Sequence, residues 1–273
     1  VKYNKGKEGG QKPPRVMVTC SFGKSSLALL DVVISMLQEQ AEMHGGRPGF
    51  EVIVVHIRES HLDRNGDELV QGIQELYGTN AITVKNVDPD SYVQNIKKLQ
   101  VSEFAALAKE APDHATTVEQ LLDACPDKSS REDLVSVMYE HLLLQEAVRE
   151  NCDTVVYGHN MTRLANEIIA LTVKGRGSSI HEKIADRDLA IKGSSLSIRF
   201  PLRDVLQAEV EAYVKVRELL KFEARSTAVI SNVNRNMTVR QLTTKYFDML
   251  DATGYATTAS TVVKTGDKLG PPK

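Results

Sequence analysis

Cysteine is scarce in this chain. The three present, Cys20, Cys125 and Cys152, share no short spacing. That excludes a disulfide framework and a cysteine-based zinc site, and it fits an intracellular protein. No apolar run approaches the roughly 18–20 residues that a bilayer-crossing helix needs, so no membrane span is expected. Neither sign of charge dominates: 34 Lys+Arg stand against 36 Asp+Glu, for a net −2. A wholesale polycation is thereby excluded, while local basic patches are not. Tryptophan is absent and aromatic residues make up 5%, which leaves few rings for stacking. What is present is a 273-residue chain with 41% hydrophobic residues, enough for a full buried core and too apolar for disorder. The polar, Gly/Lys-rich stretch from Val1 to Pro14 shows no signal peptide, and the missing initiator Met is consistent with a fragment.

Arg15 to Cys20 is short, β-branched and apolar, and predicts a strand buried on both faces. Phe50–Ile57, Ala81–Val87 and Thr154–Tyr157 predict three more, and Ser195–Phe200 a short fifth closed by Pro201. Helical periodicity runs through Leu27, Leu30, Ile34, Leu37 and Ala41, through Glu68–Tyr77, and from about Thr162 to Val173. Two further helices are expected near Ile96–Lys109 and Thr117–Ala124. Ser130 with Asp133 three residues on reads as a capping box for the helix carrying Leu134, Met138 and Leu142. Asp204 is expected to start another helix, and Met237–Leu250 to form a last one. Strands alternating with helices imply an α/β fold: a doubly wound parallel sheet with helices on both faces. The division expected is a disordered polar segment over 1–14, an α/β domain over 15–222, and a helical extension with a mobile tail over 223–273.

In such sheets ligands bind beyond the C-terminal strand ends, so the loops there hold the candidate site. After the first strand comes Ser21-Phe22-Gly23-Lys24-Ser25-Ser26, a small-residue loop opening a helix, able to aim N–H groups at an anion. It is neither a Walker A loop nor a dinucleotide GxGxxG. After the fourth strand comes Gly158-His159-Asn160-Met161-Thr162-Arg163, followed by Ala165, Asn166 and Glu167. After the second comes Arg58. Farther on, Arg199-Phe200-Pro201-Leu202-Arg203 precedes Glu209 and Tyr213. Read on their own, these loops are ordinary turns and caps, or a phosphate site.

The first loop resembles the SGGxDS pyrophosphate loop of the ATP pyrophosphatase (PP-loop) family. Ser21, Gly23 and Ser26 match; Phe22 stands at the first Gly and Ser25 at the Asp. The Phe side chain is expected to obstruct both close phosphate approach and positive φ. The lost Asp removes a carboxylate that supports ATP and magnesium in the family. The second loop resembles the GHNxDDxAET motif of that family's tRNA thiolation branch. Gly158, His159, Asn160 and Ala165 match, while Thr162 and Arg163 occupy the paired-Asp positions. Arg58 is a further departure, at a turn that the family often makes Asp-rich. The stretch from Arg199 to Tyr213 resembles the thiolases' "(R/K)P(L/F)…E…Y". The CxxC pair of that branch is missing, since Cys125 has no partner nearby and no Cys follows Cys152. Neither a cluster nor a persulfide relay is expected from this chain.

A scaffold that keeps its loops and loses phosphate glycine, metal carboxylates and sulfur cysteines is similar to the non-catalytic cytoplasmic tRNA 2-thiolation protein 2 family. That resemblance implies a cytoplasmic subunit, a pseudoenzyme with no catalytic residue of its own. It would pair with a catalytic paralogue, cytoplasmic tRNA 2-thiolation protein 1, in thiolating C2 of the wobble uridine in tRNAs for Lys, Glu and Gln. Sulfur would come from a thiocarboxylated ubiquitin-related modifier. No metal and no cofactor is expected on this chain; ATP, magnesium and an iron–sulfur cluster would belong to the partner. The degenerate nucleotide pocket would comprise Ser21, Phe22, Gly23, Lys24, Ser25, Ser26, Arg58, Gly158, His159, Asn160 and Arg163. Lys174, Arg176, Arg187, Lys192, Arg199 and Arg203 are the tRNA-binding candidates, with Arg225, Arg235, Arg240 and Lys245 as a second set. With few aromatics beside them, they suit phosphate contacts rather than base readout. Two other readings remain open here: a divergent but active adenylating enzyme in which Lys24 and Ser25 compensate, and a nucleotide-sensing α/β domain without tRNA.

Overall fold

Val16 and Val18 enter one hydrophobic core and Met17 the other, so the first strand is buried on both faces as its apolar run predicts. The structure, a computed structural model, describes residues 13–43, 45–46, 48–58, 66–78, 82–95, 117–191, 194–224, 237–255 and 257–270. This strand, β1 (Arg15–Thr19), lies inside a six-stranded sheet of order β3-β2-β1-β4-β6-β5. The other strands are β2 (Glu51–Ile57), β3 (Ile82–Val87), β4 (Thr154–Val156), β5 (Arg187–Ile191) and β6 (Ser194–Arg199). All neighbours pair in parallel except β5, which runs antiparallel to β6 at the edge. The predicted doubly wound sheet is therefore present, with one antiparallel strand added.

The described helices are α1 (Lys24–Met43), α2 (Gly66–Tyr77), α3 (Asp90–Asn95), α4 (Val118–Asp123), α5 (Lys128–Arg149), α6 (Met161–Val173), α7 (Ile180–Ile184), α8 (Gln207–Val216), α9 (Val239–Ala252) and α10 (Thr257–Gly266). One face of the sheet packs Val52 and Val54 against Leu27, Leu30 and Ile34 of α1, Ile73 of α2, and Val210 and Val214 of α8. The other packs Ile53 and Val55 with Met138 and Leu142 of α5 and Leu164 and Ile168 of α6; Phe247 of α9 and Val263 of α10 join this core. Each fully buried aliphatic side chain contributes about 1.5–3 kcal/mol, so these two layers supply the main driving force.

Several details differ from the sequence reading. The capping residue of α5 is Asp127, not Ser130: its carboxylate accepts from the Ser130 N–H at 2.8 Å. Asp133 is thus left for other partners. The loop Gly175–Ser179 ends in a single 3-10 turn that leads into α7. Strand β5 had no long apolar run to announce it, because the residues of this edge strand alternate between half-buried and exposed. The helix expected from Asp204 starts at Gln207, where the Glu209 side chain accepts from the Leu206 N–H at 2.7 Å. The Thr-rich segment expected as a mobile tail contains α10, with Ala259 and Val263 buried. Most of the polar segment 1–14, the helix expected near Ile96–Lys109, and Lys192, Arg225 and Arg235 lie outside the described residues.

The connections from β1 lead to β2 on one side, while β4 flanks β1 on the other. The strand order reverses between β1 and β4, and the crevice of a doubly wound sheet opens there, beyond the carboxyl ends. The loops following β1 and β4 meet at that point.

Candidate functional site

Gly158 brings the two loops into backbone contact. A Cβ at Gly158 would stand 2.9 Å from the Ser26 Cα and 3.0 Å from the Ser25 carbonyl oxygen, so only glycine lets the fourth-strand loop lie on the first turn of α1. Asn160 then ties three segments together. Its carbonyl oxygen caps α6 by accepting from the Arg163 N–H at 2.8 Å. Its amide nitrogen donates to Ser25 Oγ at 3.1 Å and to Gln207 Oε1 at 2.6 Å. Thr162 Oγ1 accepts from the Gln207 N–H at 3.3 Å, so a residue at one of the family's Asp positions now caps α8.

The first loop is shaped by Phe22. Its φ is +54°, in the left-handed region that glycine favours, and its side chain is fully buried. The ring packs edge-on to His56 with centroids 4.8 Å apart. The Phe22 carbonyl accepts from the Ala224 N–H at 2.9 Å, and the His56 ring, buried below, donates from Nδ1 to the Cys20 carbonyl at 2.8 Å. This corrects the expectation for Phe22. The residue keeps the positive φ of a glycine, at a cost of about 1–2 kcal/mol, and the ring turns inward to the core rather than into the mouth of the loop. Ser26 Oγ donates to the Gly23 carbonyl at 2.9 Å and lies 3.4 Å from Ser21 Oγ.

The mouth of the loop is acidic. Lys24 Nζ donates to Glu211 Oε1 at 2.8 Å, and Gln207 Nε2 donates to the same oxygen at 3.0 Å. The ammonium is held above its ordinary value first by the Glu211 hydrogen bond, then by the charges of Glu211, Glu223 and Asp248. Glu211 is correspondingly pulled down by Lys24 and Gln207. Desolvation raises Asp248 and Asp251, and the Glu211 charge raises both further. Sequence reasoning missed Gln207, Glu211, Glu223 and Asp248. Nothing local to α8 or α9 signals which loop they face, since Lys24 and Glu211 are 187 residues apart.

The remaining members of the expected pocket have other roles. Arg58 pairs with Asp67 of α2 at 2.7 Å, and no described hydrogen bond or ion pair joins it to either loop. His159 lies 5.5 Å from Tyr157 and 5.5 Å from Phe200, nearly parallel to the latter. Burial, followed by the charges of Arg163 and Arg240, pushes its pKa down to about 3, so it is neutral at physiological pH and serves as an aromatic ring. Arg163 is exposed on the first turn of α6.

The described candidates of the first tRNA-binding set are all ion-paired, whereas Lys245 of the second set is exposed on α9. Asp133 holds Lys174 at 2.7 Å and Arg176 at 3.2 Å. Glu140 holds Arg187 at 2.8 Å and pairs with Lys183 as well. Asp188 holds Arg199 at 2.7 Å, and Asp267 holds Arg203 at 2.7 Å. Arg240, of the second set, is bound by Glu167.

These residues do not fit a magnesium nucleotide. The one cation of the first loop is paired with Glu211, the charges of Glu223 and Asp248 also bear on it, and the second loop offers Thr162 and Arg163 rather than carboxylates. Nor do they fit an iron–sulfur cluster. All three cysteines are free and buried, and among the described residues no group of three His, Cys, Asp or Glu side chains is placed to hold a metal. Burial pushes the Cys20 thiol up to about 11 and the Cys152 thiol up to about 12. Among the described residues no helix is long and apolar enough to cross a membrane.

A solved structure with a similar fold is the U34-tRNA thiolase NcsA from Methanococcus maripaludis with its [4Fe-4S] cluster. The TM-score is 0.59, with 16% sequence identity, over 97% of this chain and 74% of that one. Cytoplasmic tRNA 2-thiolation protein 2 of Debaryomyces hansenii is 47% identical over 281 residues, covering 100% of this chain and 62% of that protein. The protein of that name from Scheffersomyces stipitis is 48% identical over 284 residues, and the one from Saccharomyces cerevisiae 27% identical over 295. The chain spans about three fifths of the length of these relatives. The family model described as cytoplasmic tRNA 2-thiolation protein 2 matches residues 238–273, from the cap of α9 onward. Along its whole length this chain is similar to proteins of the cytoplasmic tRNA 2-thiolation protein 2 family, and its residues 238–273 match the model of that family.

Proposed function

We propose that the protein is a cytoplasmic, non-catalytic subunit of a tRNA thiolase, acting with a catalytic paralogue, cytoplasmic tRNA 2-thiolation protein 1. In that complex the paralogue adenylates the wobble uridine of the tRNAs for Lys, Glu and Gln, and a thiocarboxylated ubiquitin-related modifier supplies the sulfur. ATP, magnesium and any iron–sulfur cluster belong to the paralogue. This chain contributes scaffold and tRNA surface. The observation that supports the reading is the first loop, whose one cation, Lys24, is paired with Glu211, with Ser25, Thr162 and Arg163 at positions where the motifs it resembles carry acids.

The proposed tRNA contacts are to phosphate. Arg176 and Arg199 keep the greatest side-chain exposure among the ion-paired candidates, 54% and 36%. Each can exchange its carboxylate partner for a phosphate, because such exposed pairs are worth only about 0–1 kcal/mol. Binding that depends on these exchanges weakens with salt.

Two assays test the proposal. Deleting the gene should abolish tRNA 2-thiolation, and a full-length Ser21/Lys24/Ser26 triple-alanine variant should restore it. Failure of that variant to restore thiolation, with the protein folded and present, would return a chemical role to the loop. The purified full-length protein should release no pyrophosphate from ATP, with or without tRNA; measurable release would overturn the non-catalytic reading.

A further inference from the structure

In the reading proposed above the first loop holds no nucleotide, yet it still has to be held in shape, and the chain supplies a holding group itself. Lys24, the only cation of Ser21–Ser26, donates to Glu211 at 2.8 Å. Glu211 is steadied in turn by Gln207, one helical turn earlier, at 3.0 Å. Gln207 accepts from Asn160 at 2.6 Å, and its N–H reaches Thr162 Oγ1 at 3.3 Å. The first turn of α8 is therefore fastened to both motif loops at once, through a side chain on each. Behind it, the Ala224 N–H holds the carbonyl of Phe22 at 2.9 Å.

We propose that Glu211 is a built-in substitute for a bound anion: its carboxylate takes up the cation of the loop, and α8 closes the loop so that polyphosphate is kept out. Two features argue for this beyond the single ion pair. First, the carboxylate is placed by a chain of hydrogen bonds rather than drifting on the surface. Its charge is therefore fixed where an incoming phosphate would have to approach. Second, the charges of Glu223 and Asp248 also bear on the same ammonium, so more negative than positive charge acts at this loop. A polyphosphate approaching the N-terminus of α1 gains the partial positive charge of the helix end, but it loses Lys24 and meets these carboxylates. The balance is repulsive as long as Glu211 is ionised.

This assignment rests on the reading of the chain as non-catalytic, and it adds the residue responsible for the exclusion. The test uses full-length protein and inorganic pyrophosphate as the probe, followed by titration calorimetry at low salt. E211Q keeps the shape and removes the charge. It should bind pyrophosphate at least tenfold more tightly than the unaltered protein, and adding K24A to that background should abolish the gain. E211D, which keeps a charge, should gain nothing. Equal affinity of E211Q and the unaltered protein overturns the inference, as does a gain in E211Q that survives K24A or is matched by E211D. Thermal melts confirm that the variants are folded. Pyrophosphate binding is read without any thiolation, so failure here leaves the subunit assignment standing, and failure of the thiolation assays leaves the binding result readable.

Discussion

The Asp31 carboxylate and the Arg217 guanidinium, 186 residues apart in sequence, meet with Nε 2.8 Å from Oδ2. Asp31 lies in α1 and is 1% exposed. Tyr77 donates to its Oδ1 at 2.8 Å and Tyr213 to its Oδ2 at 2.7 Å. One buried carboxylate thereby joins α1, α2 and α8, the helix that closes the motif loop. Burial alone would raise its pKa, but the hydrogen bonds from Arg217, Tyr213 and Tyr77 outweigh that and hold it below the ordinary value.

D31N should destabilise the protein by about 1–3 kcal/mol at neutral pH, because it removes a buried carboxylate that accepts from two tyrosines and from the half-exposed Arg217. Because the folded-state pKa is depressed, this contribution is present above the unfolded pKa, near 4, and disappears as pH falls through the folded value. Urea unfolding should show a constant gap between wild type and D31N from about pH 7 to pH 5, closing below about pH 4. A gap that widens on acidification would contradict this account.

Replacing Gly158 with Ala should cost about 1–3 kcal/mol, since the new Cβ meets backbone rather than a side chain that can turn aside. Unfolding midpoints would register it, and amide exchange at Ser25 and Ser26 should speed up. An unchanged midpoint would mean that the two loops separate more freely than their contact implies.

The double variant F22G/S25D restores two of the family residues, yet it should release no pyrophosphate from ATP. Lys24 remains on Glu211, and Thr162 and Arg163 still stand where acids would hold the metal. The glycine relieves the left-handed strain of about 1–2 kcal/mol but deletes a fully buried ring worth about 3–5 kcal/mol, so a net loss of about 2–3 kcal/mol is expected. Pyrophosphate release by this variant would show that the two residues alone had silenced the site.

The three thiols should resist alkylation in the folded protein at pH 7.5 and react once it is unfolded. All are buried, and burial raises each pKa. Mass spectrometry after a brief iodoacetamide pulse reads this directly; rapid native labelling of Cys125 would point to an accessible sulfur site.

Much of the architecture was legible in the sequence. Buried parallel strands are marked by continuous apolar runs such as Val52–Val55, and α1 and α6 carry apolar faces at helical spacing. The edge strand β5 was not legible, because half its residues face solvent and it has no such run. The motif loops could be located by their small residues, and Ser25, Thr162 and Arg163 could be set against the acids of the motifs they resemble. The closure of the loop could not. It depends on Glu211 reaching Lys24 across most of the chain, and no local pattern encodes a contact of that range. Likewise the basic residues around Lys174 and Arg187 read as a free patch in sequence, whereas folding sets Asp133 and Glu140 between them.

The contact at Gly158 has a consequence for descent. A residue required by the touching of two backbones is retained by the demands of folding whether or not the loops still carry out a reaction. Parts of an ancestral signature can therefore outlast the chemistry that first favoured them. In this chain Gly158 is accounted for by the shape of the molecule, whatever chemistry the loops carrying Ser25, Thr162 and Arg163 perform.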